Sequence, residues 1–341
     1  MGRWPIPLVL VLALACQRDP ATDAGARDAG ARDAGASDAG AADSGIDAAS
    51  LDAGGEDAGS ACVTLRAVLP IPDGVTSLAL DADSIYVGSP SALRVIALAD
   101  FTAREAPVPV LQVLATGGVI AVYDGSALRV LSNDAGLEET AWVDVSGQAT
   151  VAGFGDTLYA YRHPSAARIN VFEAHRITDL SGLASLSTVD VTGKHPVRIA
   201  TDGAVALVAD VDPDADDTLT VVDVSDPTAA MPIVRMPLSP RAGHGALAVY
   251  ADRGFLGTVD GVRVFDLATL DELPSMAGGE ALVARGSRLL TLDSAALRVH
   301  DLDAGTTREE PALAPAYAIA WVGQVLALGD GSGVRVYDVC F

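Results

Sequence analysis

The sequence predicts an all-β fold over residues 62–341, and three observations carry that expectation. First, from Cys62 onward short apolar runs rich in Val, Leu and Ile alternate with Gly, Asp, Asn and Pro, which suits strands and turns rather than helices. Second, one such run recurs seven times, at residues 93–96, 128–131, 169–172, 219–222, 262–265, 297–300 and 334–337. Third, successive copies lie 35, 41, 50, 43, 35 and 37 residues apart, the period of a four-stranded sheet repeated around an axis. Together they predict a seven-bladed β-propeller.

Residues 1–15 hold one early basic residue, Arg3, then an apolar run from Ile6 to Leu14. That run is too short for a folded membrane span and has the length of a signal-peptide core. Its ending, Leu12-Ala13-Leu14-Ala15-Cys16, resembles a bacterial lipobox. The resemblance implies cleavage before Cys16 and lipidation of that cysteine. Gln17, rather than Asp, follows it, which under the enterobacterial sorting rule implies the outer membrane, with the face left open.

Residues 16–61 repeat Asp-Ala-Gly on a five-residue beat through Asp23, Asp28, Asp33, Asp38 and Asp43. Ala, Gly, Asp and Ser give no face to bury, so a disordered, mildly anionic tether is expected, with a reach of about 35–40 Å.

Within residues 62–341, each of the seven runs is preceded by two further apolar runs, and Asp-Gly at 124–125, 260–261 and 330–331 signals tight hairpins. A fourth, more polar strand is expected to follow each set. The stretch 219–227, L-T-V-V-D-V-S-D-P, resembles the LVIVD repeat, a unit of bacterial β-propeller proteins. The run copies at 262, 297 and 334 keep the strand-then-Asp core, with Asp266, Asp301 and Asp338 in the place of Asp223. The last unit ends at Phe341 without a fourth strand, while Val63–Leu69 has no partners of its own. An open ring would leave unpaired edges. Val63–Leu69 is therefore expected to complete the last blade alongside residues 334–339. That pairing sets Cys62 opposite Cys340. With Cys16 acylated in an oxidising compartment, a Cys62–Cys340 disulfide is expected.

A formal charge of −23 argues against nucleic acid as a partner, because a phosphate backbone needs a basic face. Membrane contact is expected through the lipid alone, and the chain is expected to be a monomer. One acidic cluster is notable: Asp210, Asp212, Asp214 and Asp216 occupy alternate positions, as in a D-x-D-x-D calcium loop. Ala215 stands where the turn glycine belongs, and Val221 where the closing Glu would be; a solvated acidic hairpin tip is the competing expectation. The five histidines, His163, His175, His195, His244 and His300, show no metal-site spacing. No nucleophile elbow, phosphate loop or dinucleotide fingerprint is present, so no catalytic or cofactor-binding residue is assigned. Arg94, Arg129, Arg263, Arg298 and Arg335 recur in the repeated run and are expected to pair with carboxylates of neighbouring blades. The function expected is a lipid-anchored extracytoplasmic binding or scaffolding platform. Alternatives are a propeller hydrolase or dehydrogenase using the central channel, or a calcium-dependent adhesin.

Overall fold

The computed structural model describes residues 62–341 apart from 117, 134–135, 165–168, 179–181, 194, 213–215, 239–244, 280, 295, 312 and 314–315. The signal segment, Cys16, the Asp-Ala-Gly tether and Asp214 lie outside the described residues. Every regular element among the described residues is a strand.

The first strand is β1 (Val63–Pro70). Blade 1 follows as β2 (Ser77–Leu80), β3 (Ser84–Gly88), β4 (Leu93–Ala97) and β5 (Ala103–Ala106). Blade 2 is β6 (Gln112–Thr116), β7 (Val119–Tyr123), β8 (Ala127–Leu131) and β9 (Glu139–Asp144), and blade 3 is β10 (Gln148–Phe154), β11 (Thr157–His163), β12 (Asn170–Thr178) and β13 (Gly182–Val191). Blade 4 is β14 (His195–Thr201), β15 (Val205–Val211), β16 (Asp217–Asp223) and β17 (Met231–Leu238). Blade 5 is β18 (Leu247–Tyr250), β19 (Arg253–Thr258), β20 (Gly261–Asp266) and β21 (Glu272–Met276). Blade 6 is β22 (Ala281–Arg285), β23 (Arg288–Leu292), β24 (Ala296–Asp301) and β25 (Thr306–Pro311). Blade 7 is β26 (Ala318–Val322), β27 (Val325–Gly329) and β28 (Gly333–Val339), completed by β1. All seven sheets are antiparallel and four-stranded, and their first strands pack in sequence around the ring.

Period-2 alternation sends each inner strand into two different joints. In β26, Ala318 and Ala320 pack with blade 1, whereas Ile319 and Trp321 pack with blade 6. The same division repeats around the ring, so apolar clusters fill every joint between neighbouring blades. Phe172, Phe255 and Phe265 are fully buried in three of them, each contributing roughly 1.5–3 kcal/mol relative to exposure. The outer strands are wetter: β17 alternates exposed and half-buried along most of its length, as one face of an edge strand must.

The ring closes where the sequence places the closure. β1 runs antiparallel to β28, with Val63 opposite Val339, Leu69 opposite Val334 and one bulge between Leu65 and Ala67. It extends one residue beyond the expected end, pairing Pro70 with Gly333. Cys62 and Cys340 form a disulfide with Cα atoms 5.1 Å apart, across 278 residues of chain. Arg66 adds a tie to the first blade, donating to the Leu98 carbonyl at 2.6 Å and lying 5.3 Å over the Phe101 ring.

The recurrent Asp after the third strand has a local cause. Asp223, Asp266 and Asp301 each turn a carboxylate onto backbone N–H groups two or three residues ahead, those of Ser225, Ala268 and Ala304 at 2.8–2.9 Å. These bonds satisfy donors in the turn toward the outer strand. Asp338 holds the same position in blade 7, where β1 supplies the outer strand. Its carboxylate instead lies 3.6 Å from Arg66.

Candidate functional site

The arginines singled out in the repeated run are engaged inside their own blades, not across blades as expected. Arg129 donates to Asp124 at 2.7 Å and to Glu139 at 2.5 Å. Arg298 is held by Asp293 and Glu309, Arg335 by Asp330, and Arg263 by both oxygens of Glu272 at 2.8 Å. Arg94 meets Glu105 at 3.0 Å and Ser89 at 3.2 Å. The reason is register. An acceptor five residues before the Arg sits at the hairpin corner for Arg94, Arg129, Arg298 and Arg335. Outer-strand Glu105 and Glu309 lie directly across from Arg94 and Arg298, and Arg129 and Arg263 reach Glu139 and Glu272 off register. Burial works against ionisation of Asp124, but the Ala127 N–H, the Arg129 guanidinium and Ser126 outweigh it and hold the acid at about 2. These pairs are structural fittings.

The axis is lined differently from the exterior. None of the seven innermost strands, β2, β6, β10, β14, β18, β22 and β26, contains an Asp or Glu, although the chain carries 45 of them. Alanine is common along these strands, with Ala79, Ala152, Ala200, Ala248 and Ala320 all buried, as converging strands require.

Polar side chains gather at the joint of blades 3 and 4, on the rim where β10 and β14 begin. Tyr161, near the end of β11 in blade 3, is fully buried here. It donates to Oδ2 of Asp210, and Asn170, also fully buried, donates through Nδ2 to Tyr161 at 2.9 Å and to Oδ1 of Asp210. The amide is thereby oriented, with Oδ1 directed away from the carboxylate. That oxygen accepts from Nδ1 of His163 at 2.8 Å. His195 opens β14 and bonds through Nδ1 to Oε1 of Gln148 at 3.1 Å. The two imidazole centroids stand 6.1 Å apart, and both rings are half-buried. Gly193 lies so close to Asp210 that a Cβ there would fall 2.5 Å from its carboxylate.

Asp210 is only 2% exposed. Burial pushes its carboxyl up to about 7, against the opposing pull of the Tyr161 hydroxyl, Arg235 and Thr218. Desolvation, then the Asp210 charge, drives the Tyr161 phenol well above its ordinary value. On the other face of blade 3, Glu173 receives both Nε and Nη2 of Arg162, at 3.1 and 2.7 Å, and lies 3.6 Å from His175. Burial disfavours the Glu173 charge, yet His175 and Arg162 outweigh it and lower the acid to about 2.

The four aspartates of the calcium-loop pattern occupy different surroundings. Asp210 is turned inward onto Tyr161 and Asn170, the Asp212 N–H donates to Asp217 at 3.4 Å, and Asp216 is exposed. Asp214 is not among the described residues. Among the described residues, no group of three or more His, Cys, Asp or Glu side chains converges as a metal centre. The histidine pairing escapes sequence reasoning because 32 residues separate His163 from His195 and only the packing of β14 beside β10 and β11 joins them.

This arrangement defines a closed, seven-bladed β-propeller with a buried polar joint opening on one rim. No family model and no curated protein matches the sequence. Solved structures do match in shape. One is the computationally designed Ika8 protein, 13% identical over 81% of this chain and all of that one, with a TM-score of 0.57. A chain of the Mitotic Checkpoint Complex gives 0.63 at 11% identity, covering 82% of this chain and 92% of its own. BamB from Moraxella catarrhalis gives 0.53 at 13% identity, covering 81% and 98%. At such identities the likeness shows the fold alone.

Proposed function

We propose that the chain is a lipid-anchored, extracytoplasmic binding or scaffolding platform, held at the cell envelope by an acylated Cys16 and a long tether. The outer membrane is the compartment this reading favours. The observation that carries it is the contrast between innermost strands free of carboxylates and a polar joint open at the rim. A hydrolase built on converging carboxylates would draw its acidic ligands or acidic bases from those inner strands. A covalently sealed ring instead offers fixed surfaces on which a partner or small ligand docks with little reorganisation. The lipobox-like Cys16 and the resemblance to LVIVD repeats support the envelope address, and BamB shares the overall shape.

Two experiments test this reading. Metabolic labelling with an alkynyl fatty acid is expected to mark the wild-type chain and not Cys16→Ala; labelling of both sinks the anchor. A photo-cross-linking residue at Gln148, on the polar rim, is expected to trap a defined envelope partner. The same residue at exposed Asp156, on the opposite rim, is expected to trap less. Equal, diffuse cross-linking from both positions would remove the platform role.

A further inference from the structure

We propose that His163 and His195 form a two-histidine site for a divalent transition metal at the rim between blades 3 and 4. The first argument is placement. Two imidazoles that bind one ion through Nε2 at 2.0–2.1 Å hold their centroids roughly 5–6 Å apart, and these stand 6.1 Å apart. That separation is compatible with both rings ligating one ion.

The second argument is independent of the first and concerns the far side of each ring. Both Nδ1 atoms face a side-chain amide oxygen, Asn170 Oδ1 at 2.8 Å and Gln148 Oε1 at 3.1 Å. An amide oxygen only accepts, so His163 Nδ1 donates to the oriented Asn170 oxygen and its neutral ring presents the Nε2 lone pair; His195 takes the same tautomer with the Gln148 oxygen turned toward its Nδ1. A ligating histidine is oriented in this way, its second nitrogen donating to a fixed oxygen. Asn170 cannot flip to reverse the arrangement, because its Nδ2 donates to both Tyr161 and Asp210. Neither Nε2 has a hydrogen-bond partner among the described residues. The buried Tyr161–Asp210–Asn170 chain thereby acts as the outer support of the His163 ligand.

Two neutral imidazoles select borderline ions such as Cu²⁺, Ni²⁺ and Zn²⁺ over Ca²⁺ and Mg²⁺, which require oxygen donors. Asp210 is not counted among the ligands: it is 2% exposed and is engaged by Tyr161 and Asn170. Water or a group from a docked partner would fill the remaining coordination positions. The strongly acidic chain concentrates cations at its surface. This inference deepens the platform reading by naming one ligand of its rim. A chain that still captures its partner from Gln148 but binds no metal keeps the platform and loses this site.

The test is Cu²⁺ titration of the full lipidated chain in detergent, read by calorimetry and electron paramagnetic resonance. One Cu²⁺ per chain is expected, with two imidazole nitrogens in its hyperfine pattern and Zn²⁺ competing. Ca²⁺ is expected not to compete. His163→Ala and His195→Ala should each weaken binding by about 100-fold or more and delete one nitrogen, while Gln148→Ala weakens it by about tenfold. Both rings are half-buried at the rim, and thermal melts of the variants check that they remain folded. In the metal-free wild-type chain, imidazole nitrogen spectra should show His163 and His195 protonated at Nδ1. Stoichiometric copper that survives both substitutions, no stoichiometric copper at all, or Nε2-protonated rings would each overturn the proposal.

Discussion

Two joints of the same ring are built from opposite materials. One is the seam inside blade 7, which is strand-paired and covalent: β1 pairs along β28, Cys62 is bonded to Cys340, and Arg66 reaches from it to the Leu98 carbonyl of blade 1. Between blades 3 and 4, an apolar cluster ends at the rim in Tyr161, Asn170, Asp210 and two histidines. The seam must hold whatever the conditions, because the ring opens there. The polar joint is already closed by chain connectivity, so it tolerates an ionisable network whose cost the neighbouring blades offset. The difference assigns stability to one joint and chemistry to the other.

Substitutions sharpen that contrast. Cys62→Ser should lower unfolding stability the most, by up to roughly 5 kcal/mol on the chain-entropy argument for so long a loop, measured by guanidinium melts. A loss below 1 kcal/mol would mean that the strand pairing alone seals the ring. Glu173→Gln, within blade 3, leaves Arg162 without its bidentate partner and should cost about 3 kcal/mol. The stabilisation that Glu173 provides is present above its unfolded value of 4.5 and is lost as pH falls toward about 2. Melts of the variant and parent should therefore converge in strong acid.

Smaller effects follow at the two joints themselves. Arg66→Ala removes the bond to Leu98 and the stacking on Phe101 and should cost about 1–2 kcal/mol by the same melts. Asp210 has the opposite sign from Glu173. Its folded value is raised to about 7 from 3.8, so its contribution is fully present below 3.8 and is lost as pH rises through about 7. Stability should decline over that window by at most about 1.4 kcal/mol per pH unit. In Asp210→Asn this component of the slope should vanish. An unchanged slope in the variant would place the titration elsewhere.

Much of the architecture was legible in the sequence because it is written locally. Seven copies of a short apolar run, each with its preceding partners, set the blades, and the unpartnered Val63–Leu69 specified the closure that β1 makes. The Cys62–Cys340 bond followed from that register. The arginine partners were misplaced because the decisive acceptors are the hairpin-corner residue five positions earlier, as for Arg335, an outer-strand Glu, as for Arg263, or both, as for Arg298. Both can be read only once register is known. The blade 3–blade 4 cluster was legible only as scattered residues. Asp210 was read as part of a possible cation loop, yet it lies within β15 and bonds Tyr161 and Asn170 of the adjacent blade. No local pattern encodes such a meeting between separate sheets.

The central claim is that the first strand seals the ring and is covalently fixed to the last. Peptide mapping of the native chain under non-reducing conditions tests it most directly. One linked pair of peptides containing Cys62 and Cys340 is expected, resolved into its two halves by reductant. Free thiols at both positions, or a bridge from either one to Cys16, would contradict the closure described here.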